Sequence, residues 1–463
     1  MKQETWNTTI NILGVNISTL RRQQVLKKIE QFLSDGPSKF SSRSFRSSRS
    51  PRSEAGGEAS GQHQIVTPNP EFLLQAGKDE EFFYILNKAD LAVPDGVGLK
   101  FAAWAMGKNI HRYAGVDLVK DVIRRQTAPQ CRSAQAGQAD GPAMSLRSSG
   151  AGRRQKIAVV NWKDGLSKKK NIEKVLREQY EIKNFFVADV DRKIGNWKLE
   201  IGNLKEYSPD VLFCTFGAPW QEKWIYHNLP KLPSVKLAIG VGGAFDFLTG
   251  KIRRAPKFLR VLGMEWLWRL LKQPWRWKRI YNAVIVFPWK FFKWRFICPF
   301  LYRPNVACLL YKKVISDNLN DAKEIKYKIL LAERKDEPGH WQLPQGGTDG
   351  EDLMAAGARE LSEEIDCDKF KPITCFNNLW KYKFNKEVGK YKTKRHIGYK
   401  GQKQGLFIAE FTGGDQDIKI NFWDHSDWKW VDSANLIGAI HLKRKKATEI
   451  FLEKFNSINK EKH

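Results

Sequence analysis

A chain of 463 residues is long enough for two or three domains, each with its own core, and a formal net charge of +29 implies a polyanionic partner. Six scattered cysteines with no C-x-x-C pair argue against a zinc site or a disulfide framework and for a reducing compartment. The N-terminal residues from Met1 to Trp6 carry no apolar run of the signal-peptide kind, so a cytoplasmic location is expected.

In chain order, residues 11–33 predict a short strand and an amphipathic helix, with Val15, Ile17, Leu20, Val25, Ile29 and Phe32 roughly on one face. Residues 38–62 and 127–154 are rich in Ser, Arg and Gly and nearly free of apolar side chains, the composition of disordered insertions. A basic arm for nucleic acid is the alternative reading of each. Outside them, apolar runs at 64–66, 91–93, 156–160, 185–188, 211–216 and 236–241 alternate with helical periodicity, as at 71–89 and 167–180. That alternation predicts a Rossmann-like α/β domain, a parallel sheet with helices on both faces. Ligands of such sheets bind beyond the carboxyl ends of the strands. The unusual residues fall there: Thr67 to Pro70, Pro94-Asp95-Gly96, Gly217 to Glu222, and Gly240 to Asp246.

From Lys251 to Arg303 the chain carries fourteen Lys and Arg against one acid, Glu265, and six tryptophans: Trp266, Trp268, Trp275, Trp277, Trp289 and Trp294. Indole beside cation suits the headgroup layer of an anionic membrane, and its longest apolar run is far below the ~20 residues of a spanning helix. This predicts a peripheral protein lying on the inner face of the cell membrane; a nucleic-acid groove is the other reading. Past Tyr302 the pattern changes to α+β. Strand candidates at 305–311, 327–332, 406–411 and 428–431 surround an acidic helix at 351–365, and a last helix covers 445–455. The expected domains are 1–250, a basic appendage at 251–301, and 302–463.

Asp95 stands between a strand end and glycines; Pro-Asp-Gly alone would read as a turn, and the Gly240-Val-Gly-Gly run alone is a weak diphosphate cradle. The joint order is more specific. Thr67-Pro-Asn-Pro-Glu-Phe, Ala89 to Gly98 around Asp95, Arg112 before Ala114-Gly-Val-Asp-Leu, Gly217-Ala-Pro-Trp-Gln-Glu-Lys-Trp, Gly240 to Asp246, Arg254-Ala-Pro and Glu265-Trp-Leu-Trp-Arg closely resemble the WecG/TagA/CpsF family of bacterial glycosyltransferases. The resemblance spans about residues 8–295. It implies inverting transfer of an N-acetylmannosamine-type sugar from a UDP-sugar donor to N-acetylglucosamine on a polyprenyl diphosphate acceptor, without an obligatory metal. It further implies Asp95 as general base and Thr67, Asn69 and Gln221 as lining of the sugar and acceptor pocket. Arg112, Arg269, Arg276 and Arg279 would meet the diphosphates, and Asp246 the nucleoside.

In the acidic helix, Glu360, Glu363 and Glu364 stand at i, i+3 and i+4, so three carboxylates share one face. Their mutual repulsion is removed by a hard divalent cation. With Trp341-Gln-Leu-Pro-Gln-Gly-Gly, Arg359-Glu360 and Gly401-Gln-Lys-Gln, the segment 302–455 is similar to Nudix hydrolases of the branch that cleaves dinucleoside polyphosphates or RNA 5′ ends. That likeness implies Mg²⁺ on Glu360, Glu363 and Glu364, with Asp424 as a late acid, Arg359 orienting a carboxylate, and a metal-activated water. Two positions depart from the pattern: only four residues separate Gly346 from Glu351, and Asp366 stands where glycine is expected. The rival readings are a nucleotide or RNA sensor that does not cleave, and an RNA-binding protein.

Overall fold

The computed structural model describes residues 9–34, 61–127, 155–191, 197–256, 258–259, 263–317, 323–384 and 398–460. The two low-complexity stretches expected at 38–62 and 127–154 lie almost wholly outside them. The chain forms two compact units, Met1–Phe291 and Phe292–His463.

The first unit opens with a hairpin, β1 (Thr9–Ile12) and β2 (Val15–Ser18), and α1 (Arg22–Ser34). There follow β3 (His63–Val66), α2 (Pro70–Ala76), α3 (Glu80–Lys88), β4 (Leu91–Ala92), α4 (Val97–Ala105) and α5 (Gly115–Thr127). Where the periodicity predicts one helix over 71–89 there are two, because Gly77 ends α2 and Asp79 caps α3 through its side chain. The chain continues through β5 (Ile157–Trp162), α6 (Lys169–Lys174), β6 (Phe185–Val190), α7 (Trp197–Tyr207), β7 (Val211–Cys214), α8 (Trp220–Asn228), β8 (Leu237–Gly240) and α9 (Ala244–Leu248). Short helices close the unit: α10 (Glu265–Lys272), α11 (Trp277–Tyr281) and α12 (Phe287–Phe292), the last ending at the division.

Six strands make one parallel sheet in the order β4-β3-β8-β7-β5-β6. Strand alternation sorts its side chains. Ile157, Val159, Phe213 and Ile239 join α1 and α5 residues such as Ile29 and Leu118 in one core. Ala158, Val160, Leu212 and Ala238 join Leu204 of α7 and Trp224 of α8 in the other. Both faces are therefore covered, which is why these strands read as continuous apolar runs.

The second unit is built on a seven-stranded sheet. Its strands are β9 (Tyr302–Asp317), β10 (Lys323–Arg334), β11 (Trp341–Gln342), β12 (Gln345–Gly347), β13 (Phe370–Lys383), β14 (Gly401–Phe411) and β15 (His425–Asp432). The β9 and β14 pair is parallel and the others are antiparallel. Helix α13 (Leu353–Ile365) covers one face through Leu361 and Ile365; on the other lie α14 (Leu436–Ala439) and α15 (Lys445–Lys460), through Leu436, Phe451 and Phe455. No described helix is long and apolar enough to cross a membrane.

Candidate active sites

The carboxyl ends of β3, β4, β5, β7 and β8 open into a cavity of about 950 Å³ lined by Thr67, Asn69, Asp95, Gln221, Asp246, Arg269, Arg276 and Arg279. Eight of the nine residues expected at this site thus line one cavity. The ninth, Arg112, is not on it: its Nη2 donates to Glu265 Oε2 at 2.8 Å, and Glu265 lines the cavity in its place.

Asp95 follows β4, with its backbone N–H on Pro68 O at 2.8 Å and its Oδ2 accepting the Gly115 N–H at 3.1 Å. Burial raises its carboxyl above the usual range, while Arg112, the Gly115 N–H and Arg269 pull it back. Glu265, absent from the expected site, is a hub. It accepts from Arg112 and from Arg269 Nη2 at 3.1 Å, and although burial alone would raise it, Arg269, Arg112 and Arg254 hold it ionised below its ordinary value. One carboxylate thereby ties α10 to the loop before α5.

Several cavity residues already have partners inside the protein. Asn69 Oδ1 caps α2, accepting from Glu71 N at 2.9 Å and Phe72 N at 3.1 Å. Thr67 Oγ1 donates to Gly240 O at 3.2 Å. Asp246 Oδ1 accepts from Ser167 Oγ at 2.7 Å and Ser167 N at 3.1 Å, and burial lifts its carboxyl. Arg279 grips Glu71 through Nε and Nη2. Arg276, flanked by Arg279 and Arg269, is pushed down to about 10 by burial first and by those two charges next. An arginine crowded by cations gains most from an arriving anion.

After Val160 the resemblance leads one to expect a glycine-rich turn, but the chain has Asn161-Trp-Lys-Asp-Gly, and β5 runs on to Trp162. A polar network shapes this segment. Asn161 Nδ2 donates to Asp189 Oδ1 at 2.7 Å and Ser167 O at 2.9 Å, and Asn161 Oδ1 accepts from Thr215 Oγ1 at 2.8 Å.

Sequence reasoning also passed over Glu222. Gln221 Oε1 accepts from Gly217 N at 3.1 Å and Gly242 N at 2.8 Å, and Gln221 Nε2 donates to Glu222 Oε1 at 2.6 Å. Glu222 is fully buried, its Oε2 has no hydrogen-bond partner, and burial pushes its carboxyl up to about 7. The sequence signal for it was its place in the Gly217-Ala-Pro-Trp-Gln-Glu-Lys-Trp motif, which gave it no role.

In the second unit, α13 presents Glu360, Glu363 and Glu364. Arg359 Nη1 meets Glu360 Oε1 at 2.8 Å, its Nε meets Glu351 Oε2 at 2.8 Å, and its Nη2 donates to Gly347 O at 3.0 Å. The loop one residue short still delivers Glu351 to Arg359. It does so through a Thr348–Glu351 turn with Asp349 and Gly350 at positive φ. Asp366 caps α13 in the left-handed region, φ 46, which is the conformation a glycine would serve there.

Glu360 is buried against Gly346, where no Cβ could be placed, and burial pushes its carboxyl up to about 7. Glu364 is buried too. Its Oε2 lies 2.9 Å from His425 Nδ1 but without hydrogen-bond alignment, so this buried oxygen has no donor. Two buried carboxyls raised by burial, one with an orphaned oxygen, beside the half-exposed Glu363, fit the all-oxygen donor set that Mg²⁺ takes. Asp424 immediately precedes β15 and acts electrostatically on both Glu364 and His425. His425, not foreseen from the sequence, faces this carboxylate group.

A second cluster, Glu337, His340 and His441, has donor atoms within 4.8 Å of one another. Its imidazoles stack face to face at 3.9 Å and 15°, so their in-plane lone pairs do not converge on one point. Lys443 Nζ already meets the same carboxylate at 3.1 Å.

A sheet domain that gathers Asp95 with Arg269, Arg276 and Arg279 around one cavity, on one chain with a fold that presents three carboxylates on a helix, has the parts of a glycosyltransferase and of a Nudix hydrolase. The chain belongs to the Glycosyl transferase WecG/TagA/CpsF family, which matches residues 52–298, and a NUDIX domain matches residues 318–453. Among curated proteins it is similar to the N-acetylglucosaminyldiphosphoundecaprenol N-acetyl-beta-D-mannosaminyltransferase of Bacillus subtilis, 29% identical over 47% of this chain and 74% of that one. It is also similar to the RNA pyrophosphohydrolase of a Wolbachia sp. (subsp. Brugia malayi), 37% identical over 34% of this chain and 91% of that one. Among solved structures, a C. elegans Ap4A hydrolase binary complex is similar over 34% of this chain and 96% of its own, at 20% identity and a TM-score of 0.24.

Proposed function

We propose that the first unit transfers an N-acetylmannosamine-type sugar from a UDP-sugar to N-acetylglucosamine on a polyprenyl diphosphate, with inversion, for cell-surface polysaccharide. The observation that carries this reading is Asp95. It is a carboxylate raised by burial at the wall of a cavity of about 950 Å³ whose rim holds Arg269, Arg276 and Arg279. The acceptor hydroxyl gives its proton to Asp95 as its oxygen attacks the anomeric carbon, and UDP departs with the bonding pair. The guanidinium groups offset the charge that gathers on the leaving diphosphate. Gly115 keeps Asp95 in place through its N–H.

The acceptor's lipid keeps it at a bilayer, so the site must come to the membrane. We assign that task to the basic appendage at 251–301, on the inner membrane face. Trp275, Trp277 and Trp289 expose their rings among cations, and α4 adds exposed Phe101 and Trp104 beside Lys100 and Lys108. Gly98 of α4 lies against the buried ring of Phe287.

The second unit, in this reading, hydrolyses a phosphoanhydride of a nucleoside polyphosphate or an RNA 5′ end. Glu360, Glu363 and Glu364, with Asp424 nearby, would hold Mg²⁺. When bound, Mg²⁺ activates water and offsets charge on phosphate oxygens. Arg359 fixes Glu360 and Glu351 in place. The test is a panel of UDP-sugars with a short-chain lipid-diphosphate acceptor: UDP release that depends on acceptor and falls ~10²–10⁴-fold in Asp95→Asn supports the assignment. Wild-type turnover in Asp95→Asn removes Asp95 from the chemistry.

A further inference from the structure

Gln221 is the second residue of α8; only 1% exposed, it is among the residues that line the cavity, and its neighbour Glu222 is fully buried. A carboxamide has two lone pairs and two N–H bonds. Both lone pairs of Gln221 are taken, by the N–H groups of Gly217 and Gly242, and one of its N–H bonds goes to Glu222 at 2.6 Å. Because Oε1 faces two backbone donors, the amide cannot be turned over. What remains for a ligand is one N–H.

Glu222 itself has no ordinary structural reason to be a carboxylic acid. Burial is the largest influence on it and no cation is among the groups that shift it, so an apolar side chain of its size would fit the interior at lower cost. Its contact with Gln221 is the return. Gly240, the end of β8, makes the pair possible: a Cβ there would lie 2.7 Å from both Gln221 Nε2 and Glu222 Oε1. Gln64 Nε2 secures the backbone of Glu222 from below, donating to its carbonyl at 3.3 Å.

We infer that Glu222 is a positioning residue that fixes the plane of the Gln221 carboxamide from behind, so that Gln221 meets substrate as an N–H donor only, to an oxygen of the sugar or the diphosphate. The pair also braces the loops after β7 and β8 against each other, since both Gly217 and Gly242 hang on one oxygen. This inference rests on the transferase reading of the cavity. A group that titrates near 7 in this place gives the effect a pH signature as well.

The experiment is a double-mutant cycle of Gln221→Ala and Glu222→Ala, read on transfer to a short-chain acceptor and on UDP affinity by calorimetry, with Glu222→Gln as the conservative variant. Glu222→Ala is expected to lower transfer roughly ten- to a hundredfold with Gln221 present, and to add little once Gln221 is Ala. Glu222→Gln, which keeps the acceptor oxygen, should stay within about threefold of wild type. It should also lose any inflection of kcat/KM near pH 7. Equal cost of Glu222→Ala in both backgrounds, or wild-type activity in Glu222→Ala, overturns the inference. Should Glu222→Ala not fold, Glu222→Gln decides: an unchanged pH profile, or a drop as large as that of Gln221→Ala, overturns it. If wild type binds UDP with the two residues coupled but transfers no sugar, the transferase reading fails and the inference about Gln221 stands.

Discussion

At the scale of single residues, the sequence shows which groups are reactive and hides what restrains them. Asp95 is visible because a carboxylate after a strand end and before glycine is unusual. Its restraint by Gly115 and the tie of Glu265 to Arg112 join residues far apart in the chain, and no local pattern announces them; only the Glu265–Arg269 pair, at i,i+4, is local. Arg112, expected at a diphosphate, also holds Glu265, a partner that the sequence does not show although the arginine's charge is legible there. Glu222 is the sharpest case, an acid within a motif with nothing in the sequence to say that it points inward. Its burial makes a stability prediction. The folded protein keeps this proton up to about pH 7 while the unfolded chain releases it near 4.5, so the native state binds more protons between those values and stability falls as pH rises through them. By pH 8 the ionised form costs about 3 kcal/mol relative to pH 4. Glu222→Gln should remove that slope, and its melting temperature should gain on wild type between pH 5 and 8; parallel curves would contradict the burial of a titrating carboxyl here.

At the scale of elements, the strands of both units were legible because buried strands are short apolar runs, whereas breaks and edges were not. The helix read over 71–89 is two, since Gly77 and the Asp79 cap compete with an apolar periodicity that continues across them. The long strand β13 escaped notice because it has no clean alternation: its faces are largely half-buried or exposed. Asp366 is a departure that the fold absorbs. It occupies the left-handed position at the end of α13, so Asp366→Gly should stabilise the second unit by about 1 kcal/mol in chemical denaturation, and a loss of stability would show the aspartate side chain to be needed there. The basic stretch and α4 make a prediction of their own. Each Lys or Arg near an anionic bilayer contributes about 1 kcal/mol, so replacing Lys278, Lys293 and Arg295 with Gln should weaken flotation with anionic liposomes about a hundredfold. Phe101→Ser with Trp104→Ser should weaken it further, and turnover of a short-chain acceptor should change by no more than about twofold in either set. Equal loss with soluble and lipid-borne acceptors would mean that these residues serve the chemistry and not the bilayer.

At the scale of the whole molecule, one chain carries two sites of different chemistry in two separately cored units, each with its own sheet and its own pair of apolar layers. Units of this kind respond to mutation independently. The most direct measurement follows both products, UDP released to a lipid-diphosphate acceptor and phosphate or diphosphate released from a triphosphorylated RNA with Mg²⁺, for wild type, Asp95→Asn, and Glu363→Gln with Glu364→Gln. Asp95→Asn should lose sugar transfer and keep hydrolysis, and the double glutamine variant should lose hydrolysis and keep transfer; both products falling together in either folded variant, or neither product from wild type, would contradict the account.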